Sequence, residues 1–442
     1  MMELIIGTIS DNQQQLEVFL KSFESLLLKY GEPHIETYQI IVLENGKKLT
    51  IDSALNIQKI SQHSKKSIAE NRTYLQLYIY QNSSRKSIIW IVDDDLRFIN
   101  NNKILNYFSY IKKLSKENID ATFGLVSQTP PLPFLSMISM QLRDFNFNLS
   151  YFSEARENSS FIDNSNLNLK LMLDNKEFYY DLSHLYSENL NTHYYWTHDK
   201  CLTYRESFKI FLEETTQLSK GINVFRKLKF QVTDFGQVGN ESIYRGGNTI
   251  IFNKELLLIP NYTLEKNSYN RRSDFNWALI NKHLFGRKLK EIVLPLEHNR
   301  ELDNHSFTRD KKKLEADIAG LLFYRIFELL LQGEDHKRIM DFYIKTKKEL
   351  LQLFESNYRK NLLLIQESTA LLADPRKWWH ENEYSALLLK NFDMLEQLKK
   401  VIEEELSMLE DFSESIFITK EQLCQIELEI NQIVKEYECY QH

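Results

Sequence analysis

IIWIVDDDLRF, residues 88–98, opens with five apolar residues, Ile88 to Val92, and then sets three aspartates in a row. Four of the five apolar residues are β-branched. Such a run is too short for a helix and suits a strand buried on both faces. Strands of that kind belong to mostly parallel sheets with helices on either side. In open sheets of this class, ligands sit just beyond the carboxyl ends of the strands, and Asp93, Asp94 and Asp95 fall there. Three adjacent carboxylates repel one another unless a cation neutralises them. Mg²⁺ or Mn²⁺ holding a phosphate does so through hard oxygen ligands. Taken alone, the stretch is explained equally well by a solvated acidic turn. If the chain stays extended, Asp93 and Asp95 face one way and Asp94 the other.

The flanking sequence extends the pattern. ELIIGTIS (3–10) predicts a first buried strand, and Asp11 or Asn12 can cap a helix whose apolar positions are Leu16, Phe19, Leu20 and Phe23. TYQIIVLENG (37–46) predicts a second strand, and residues 65–80 a helix leading into 88–92. The order β-α-β-α-β, with long connections, argues for a parallel sheet. A helix over 102–115, a strand over 120–127 and a helix over 136–157 continue it, with TPPLPF (129–134) as a stiff loop. Residues 227–236 and 248–253 read as strands around the turn-prone GNESIYRGG, 271–285 as a helix and 290–300 as a strand. Beyond about residue 306, Leu, Glu and Lys dominate. Apolar residues at 388, 392, 395, 398, 402, 406 and 409 mark one face of a long helix, and ADPRKWWH (373–380) marks a break. The expectation is an α/β domain over 1–305 and a mostly α-helical region over 306–442. The latter would pack back on the first domain, build an acceptor platform, pair two copies through the 388–409 face, or dock a partner.

Composition narrows the class. Hydrophobic residues form 43% of the 442, enough for a substantial core, and the formal net charge of −6 gives no basic field for nucleic acid. The three cysteines, Cys201, Cys424 and Cys439, have no CxxC spacing, so neither a disulfide framework nor a zinc site is expected. The N-terminus lacks the pattern of a signal peptide, and no apolar run is long enough to span a membrane. A cytoplasmic protein is the expectation, with peripheral contact at the inner membrane face left open.

Several short motifs carry candidate chemistry. Glu44 and Asn45 end the second strand, where an acid can accept hydrogen bonds from a ribose or base, although Asn45-Gly46 is also a common turn. Arg72, on the helix before the aspartates, suits a diphosphate by charge and fork geometry, though a surface arginine is the simpler account. Gly246 and Gly247 precede a strand and permit close approach of a ligand. Asp274 starts a helix, as a cap or as a general base. His298, after a strand, can ligate a metal through a neutral imidazole. No GxGxxG, GxxxxGK[ST] or HExxH motif occurs.

Together these motifs, over about residues 3–300, resemble the family-2-like glycosyltransferases with a GT-A fold. ENG (44–46) is similar to that family's acidic element after the second strand, with Glu44 replacing the usual Asp. IAENRT (68–73) is similar to its "A-ARN" helix, with Thr73 where Asn is usual. Asp93–Asp95 match its DxD metal motif, and RGGN (245–248) resembles its glycine-containing segment. SD (273–274) falls where the family has its catalytic acid pair, with Ser273 in place of the first acid. His298 matches the late histidine that completes the metal site in some members. The resemblance implies transfer of a sugar from a nucleoside-diphosphate sugar, a UDP-sugar first, to an acceptor hydroxyl or amine with inversion. It implies Mn²⁺ or Mg²⁺ on Asp93, Asp95 and His298, and Asp274 as base. Glu44, Asn45, Arg72, Asp93, Asp94, Gly246 and Gly247 would hold the donor. An inactive GT-A scaffold is the alternative. A nucleotidyltransferase fits less well, because ISDNQQQ (9–15) lacks a Gly-rich, basic loop.

Overall fold

A computed structural model describes residues 2–441 except 33, 63, 100–106, 128–133, 165, 168–192, 221, 223, 226–237, 242–247, 264–272, 299–310, 381 and 416. The described strands are β1 (Met2–Ser10), β2 (Ile35–Glu44), β3 (Ile57–Ser61), β4 (Ile88–Val92), β5 (Leu96–Phe98), β6 (Ala121–Ser127), β7 (Val238–Glu241), β8 (Asn248–Ile251) and β9 (Leu289–His298). They form one sheet, whose central path runs β3-β2-β1-β4-β8-β6-β9, while β5 and β7 each pair with β9. Along that path β8 alone runs against its neighbours. The mostly parallel α/β sheet expected from the apolar runs is therefore present, with one reversed strand inside it.

The two faces of the sheet are covered differently. On one face β1 and β4 present Leu4, Ile6, Trp90 and Val92 to helices α1 (Gln13–Tyr30) and α3 (Tyr107–Leu114). Asn12 caps α1 by accepting from the Gln14 and Gln15 N–H groups, and Leu16, Phe19, Leu20 and Phe23 are buried as their spacing predicts. On the other face lie α2 (Ile68–Asn82), α4 (Phe134–Glu154), α5 (Tyr204–Thr215) and α6 (Ser273–His283). A Ser67–Glu70 capping box starts α2. The helix then passes so close to β1 that a Cβ on Gly7 would lie 2.8 Å from Ile79 Cδ1.

The C-terminal helices α7 (Lys311–Leu331), α8 (His336–Leu372), α9 (Ser385–Asp411) and α10 (Lys420–Gln441) continue this second core. The Tyr262 ring stacks on Phe327 at 5.2 Å, and its hydroxyl donates to Glu429 at 2.5 Å. Asn361 of α8 donates to Ser139 of α4 at 2.8 Å. The apolar stripe of α9 is spent inside the chain: Leu388, Leu395, Leu398, Ile402 and Leu409 are buried and Phe392 and Leu406 pack against the same core.

Other expectations need correction. GNE, the start of the expected turn GNESIYRGG, lies in strand β7. Strands β3 and β5 carry weak sequence signals: IQKIS has only two apolar residues, Ile57 and Ile60, with no period-2 alternation, and LRF is only three residues long. The expected strand over 227–236 lies outside the described residues.

Candidate functional site

The connectivity creates the site. From β1 the chain passes through α1 to β2 on one side; from β3 it returns through α2 to β4 on the other. The two connections lie on opposite faces of the sheet. This is a topological switch point, where the carboxyl ends of adjacent strands open a crevice. Register aligns those ends, since Ser10 pairs with Glu44 across β1 and β2 and Gly7 pairs with Ile91 across β1 and β4.

Asp93, Asp94 and Asp95 follow β4 directly, but the chain does not stay extended. It turns, and the Leu96 N–H donates to the Asp93 carbonyl at 3.2 Å. The expected alternation, with Asp94 facing away, therefore fails. Asp94 reaches back across the sheet end and accepts from Ser10 Oγ at 2.5 Å. Burial pushes the Asp94 carboxyl up to about 7; the Ser10 hydrogen bond opposes this, and the charges of Asp95, Asp93 and Asp11 add to it. Ser10 did not stand out in the sequence. Its signal is only that it ends the strand next to the switch.

Arg72 joins two elements at this crevice. Its Nη2 donates to both carboxylate oxygens of Asp93, at 3.1 and 3.2 Å, and its Nη1 lies 3.8 Å from Asp274 Oδ2. Burial works against the guanidinium charge, but Asp93 and Asp274 outweigh it and hold the Arg72 pKa above its ordinary value. Asp274 opens α6, and its Oδ1 accepts the Phe275 N–H at 3.1 Å. Arg72, Asp93 and Asp274, distant in sequence, thus come together.

The turn after the aspartates also fixes β9. β5 pairs antiparallel with β9, so His298 stands opposite Leu96, the residue after Asp95. Arg97 and Glu297 form an ion pair one step along the same ladder. The His298 side chain lies outside what is described, as do Gly246 and Gly247. Among the described residues no three His, Cys, Asp or Glu side chains converge as metal ligands.

Glu44 and Asn45 lie at the same sheet edge but turn toward their own loops. The buried Glu44 carboxylate accepts the Leu49 N–H at 2.9 Å and lies 3.9 Å from Lys59 Nζ. Asn45 donates its N–H to the Ser10 carbonyl at 2.9 Å and accepts the Lys66 N–H at 3.3 Å. Gly46 has φ +77°, the left-handed geometry that the Asn-Gly turn requires.

Beside Arg72, a cleft of about 840 Å³ runs between α2, residues 260–263 and α10. Lys66, Glu70, Thr73, Tyr74, Asn261 and Glu429 are among its walls. Thr73 Oγ1 accepts the Asn261 N–H at 2.9 Å, and Asn276 of α6 donates to the Tyr262 carbonyl at 3.0 Å. One cleft wall is thereby tied to the helix that carries Asp274. No protein-family model and no curated protein sequence matches the chain.

Proposed function

We propose that the chain is a metal-dependent glycosyltransferase of the GT-A type, moving a sugar from a nucleoside-diphosphate sugar, a UDP-sugar first, to an acceptor hydroxyl or amine. The observation that carries this reading is the meeting of Asp93, Arg72 and Asp274 at the carboxyl edge of a switch-point sheet. An acidic strand end with a hard-oxygen donor set and the His298 register beside Asp95 fit Mn²⁺ or Mg²⁺. Asp93, Asp95 and His298 are the residues that would hold the ion, which supplies charge neutralisation for a diphosphate leaving group.

The chain's own groups supply the remainder. Arg72 is the buried cation of the crevice and orients Asp93 and Asp274 at once. Asp274 would accept the acceptor proton on the side opposite the leaving group, giving inversion by direct displacement. General-base help of this kind contributes about 10²–10⁴-fold. The cleft beside Thr73 is the space for the acceptor, with Tyr74 to stack and Glu70 and Glu429 to accept hydrogen bonds.

One observation favours a second reading, a donor-binding protein without transfer. Both oxygens of Asp274 are engaged, Oδ1 by the Phe275 N–H and Oδ2 toward Arg72, and Ser273 offers no second acid.

Thermal melting against a panel of nucleoside diphosphates, each with and without Mn²⁺, tests the site, because a ligand of the native state alone raises apparent stability. One diphosphate should stabilise the protein only with metal, and Asp95→Ala should abolish that shift. No shift with any nucleotide removes the donor site. A shift without donor hydrolysis or transfer, unchanged by Asp274→Asn, selects the second reading.

A further inference from the structure

A second cluster joins the start of α8 to the first turns of α10. α8 begins at His336, capped by Asp335, and the first turns of α10 pack beside it. Leu423 and Ile426 of α10 are buried, which fixes the rotation of that helix. Cys424 and Glu427 are three residues apart, so both stand on one helix face, and His336 sits between them. Its Nδ1 lies 3.7 Å from Cys424 Sγ, and its Nε2 lies 3.3 Å from Glu427 Oε2. A carboxylate only accepts, so Glu427 at ion-pair distance favours the tautomer with its proton on Nε2. The Nδ1 lone pair is then left facing the thiol. Cys424 is solvent-exposed. A thiol with an imidazole on its proton, oriented in turn by a carboxylate, is the arrangement that activates a cysteine nucleophile. Cys201 and Cys439 are also exposed, and among the described residues neither has a histidine in that position.

We propose that Cys424 is a base-assisted reactive thiol that exchanges with low-molecular-mass disulfides. His336 Nδ1 takes the Sγ proton as Sγ attacks one sulfur of the disulfide. The new sulfur–sulfur bond to Cys424 forms as the old one breaks, and the departing thiolate receives the proton from His336. Cys424 ends oxidised as a mixed disulfide, and the departing half is reduced to a thiol. No other oxidant is required.

Three full-length proteins, each retaining one cysteine with serine at the other two positions, test this directly. The probe is dithiodipyridine, a neutral aromatic disulfide whose release is followed by absorbance. The Cys424 protein should react about tenfold faster or more than either of the others. His336→Gln in that background should bring the rate down to theirs, while its urea midpoint reports whether the fold survives. Glu427→Gln, on the exposed face of α10, should lower the rate without removing the base. Equal rates at the three cysteines, or a rate at Cys424 that neither substitution lowers, would overturn the proposal.

Discussion

Arg72 Nη1 stands 3.8 Å from Asp274 Oδ2, although one residue belongs to α2 and the other opens α6. Nη2 of the same guanidinium donates to both oxygens of Asp93, so a single cation fixes the end of β4 relative to α6. Arg72→Ala would leave two carboxylates facing each other without it. The expected loss of stability is about 2 kcal/mol, less than for a fully buried pair because part of Asp93 meets solvent. Arg72→Lys should recover part of the stability and less of any donor binding, since one ammonium cannot reach Asp93 and Asp274 from two separate nitrogens. Urea midpoints and nucleotide-induced melting shifts of the two variants check this.

Gly124 of β6 makes room for a side chain on the next strand. A Cβ there would lie 1.8 Å from Asn248 Nδ2, and Asn248 Oδ1 accepts from the buried Trp90 indole N–H. Gly124→Ala should therefore cost about 2 kcal/mol or more through overpacking. Asn248→Ala alone orphans Trp90. The double variant should be less unstable than the sum of the two, because each change relieves the other. Additive losses in denaturant titrations would contradict this geometry.

His198 is held neutral. Its Nδ1 accepts the Lys200 N–H at 3.1 Å, so Nε2 carries the proton and donates to Ser207 Oγ at 2.7 Å. Burial lowers its pKa, outweighing Glu214 and Asp163, which pull the other way. The unfolded chain then binds more protons than the folded one below the ordinary histidine value of about 6.5, so stability rises with pH in that window. It should be complete above that value and fall on acidification. A urea midpoint that drops between about pH 7.5 and about pH 5.5, and drops less in His198→Gln, is the expected result.

A chain ending at residue 305 should not behave as an independent domain. It would strip Phe327 from Tyr262 and Tyr324 from Phe275, and open the face of α4 that α8 covers. Aggregation, or dye binding to exposed apolar surface without a cooperative melt, is expected on sedimentation and calorimetry. A soluble, cooperatively melting fragment would show that the two regions fold separately. In the full chain, Leu398→Ala should cost about 2–5 kcal/mol, as for a buried core position.

The sequence made the central strands legible because IIWIV is a continuous apolar run and ELIIGTIS holds four apolar residues among small ones, and near-continuity is what burial on both faces demands. It also placed the three aspartates at a sheet edge, where they are. It did not reveal that Asp94 would be the residue turned inward, because that depends on a local turn and on Ser10 of a neighbouring strand. Nor could it show Arg72 spent on Asp93, or Glu44 folded onto its own loop; both depend on which loop reaches a charge first. The α9 stripe was visible as a stripe, but periodicity cannot say whether another part of the chain or another copy covers it.

The place of β8 has a consequence for biosynthesis. β8 lies between β4 and β6, yet it follows both in the chain by more than a hundred residues. At ordinary translation rates of about 5–20 residues per second, the edge of β4 waits several seconds or more on the ribosome before its partner exists. That edge is the most apolar strand of the sheet, and an open strand edge recruits other chains. Expression yield should therefore respond to elongation speed and to chaperone supply more than the finished protein's stability would suggest.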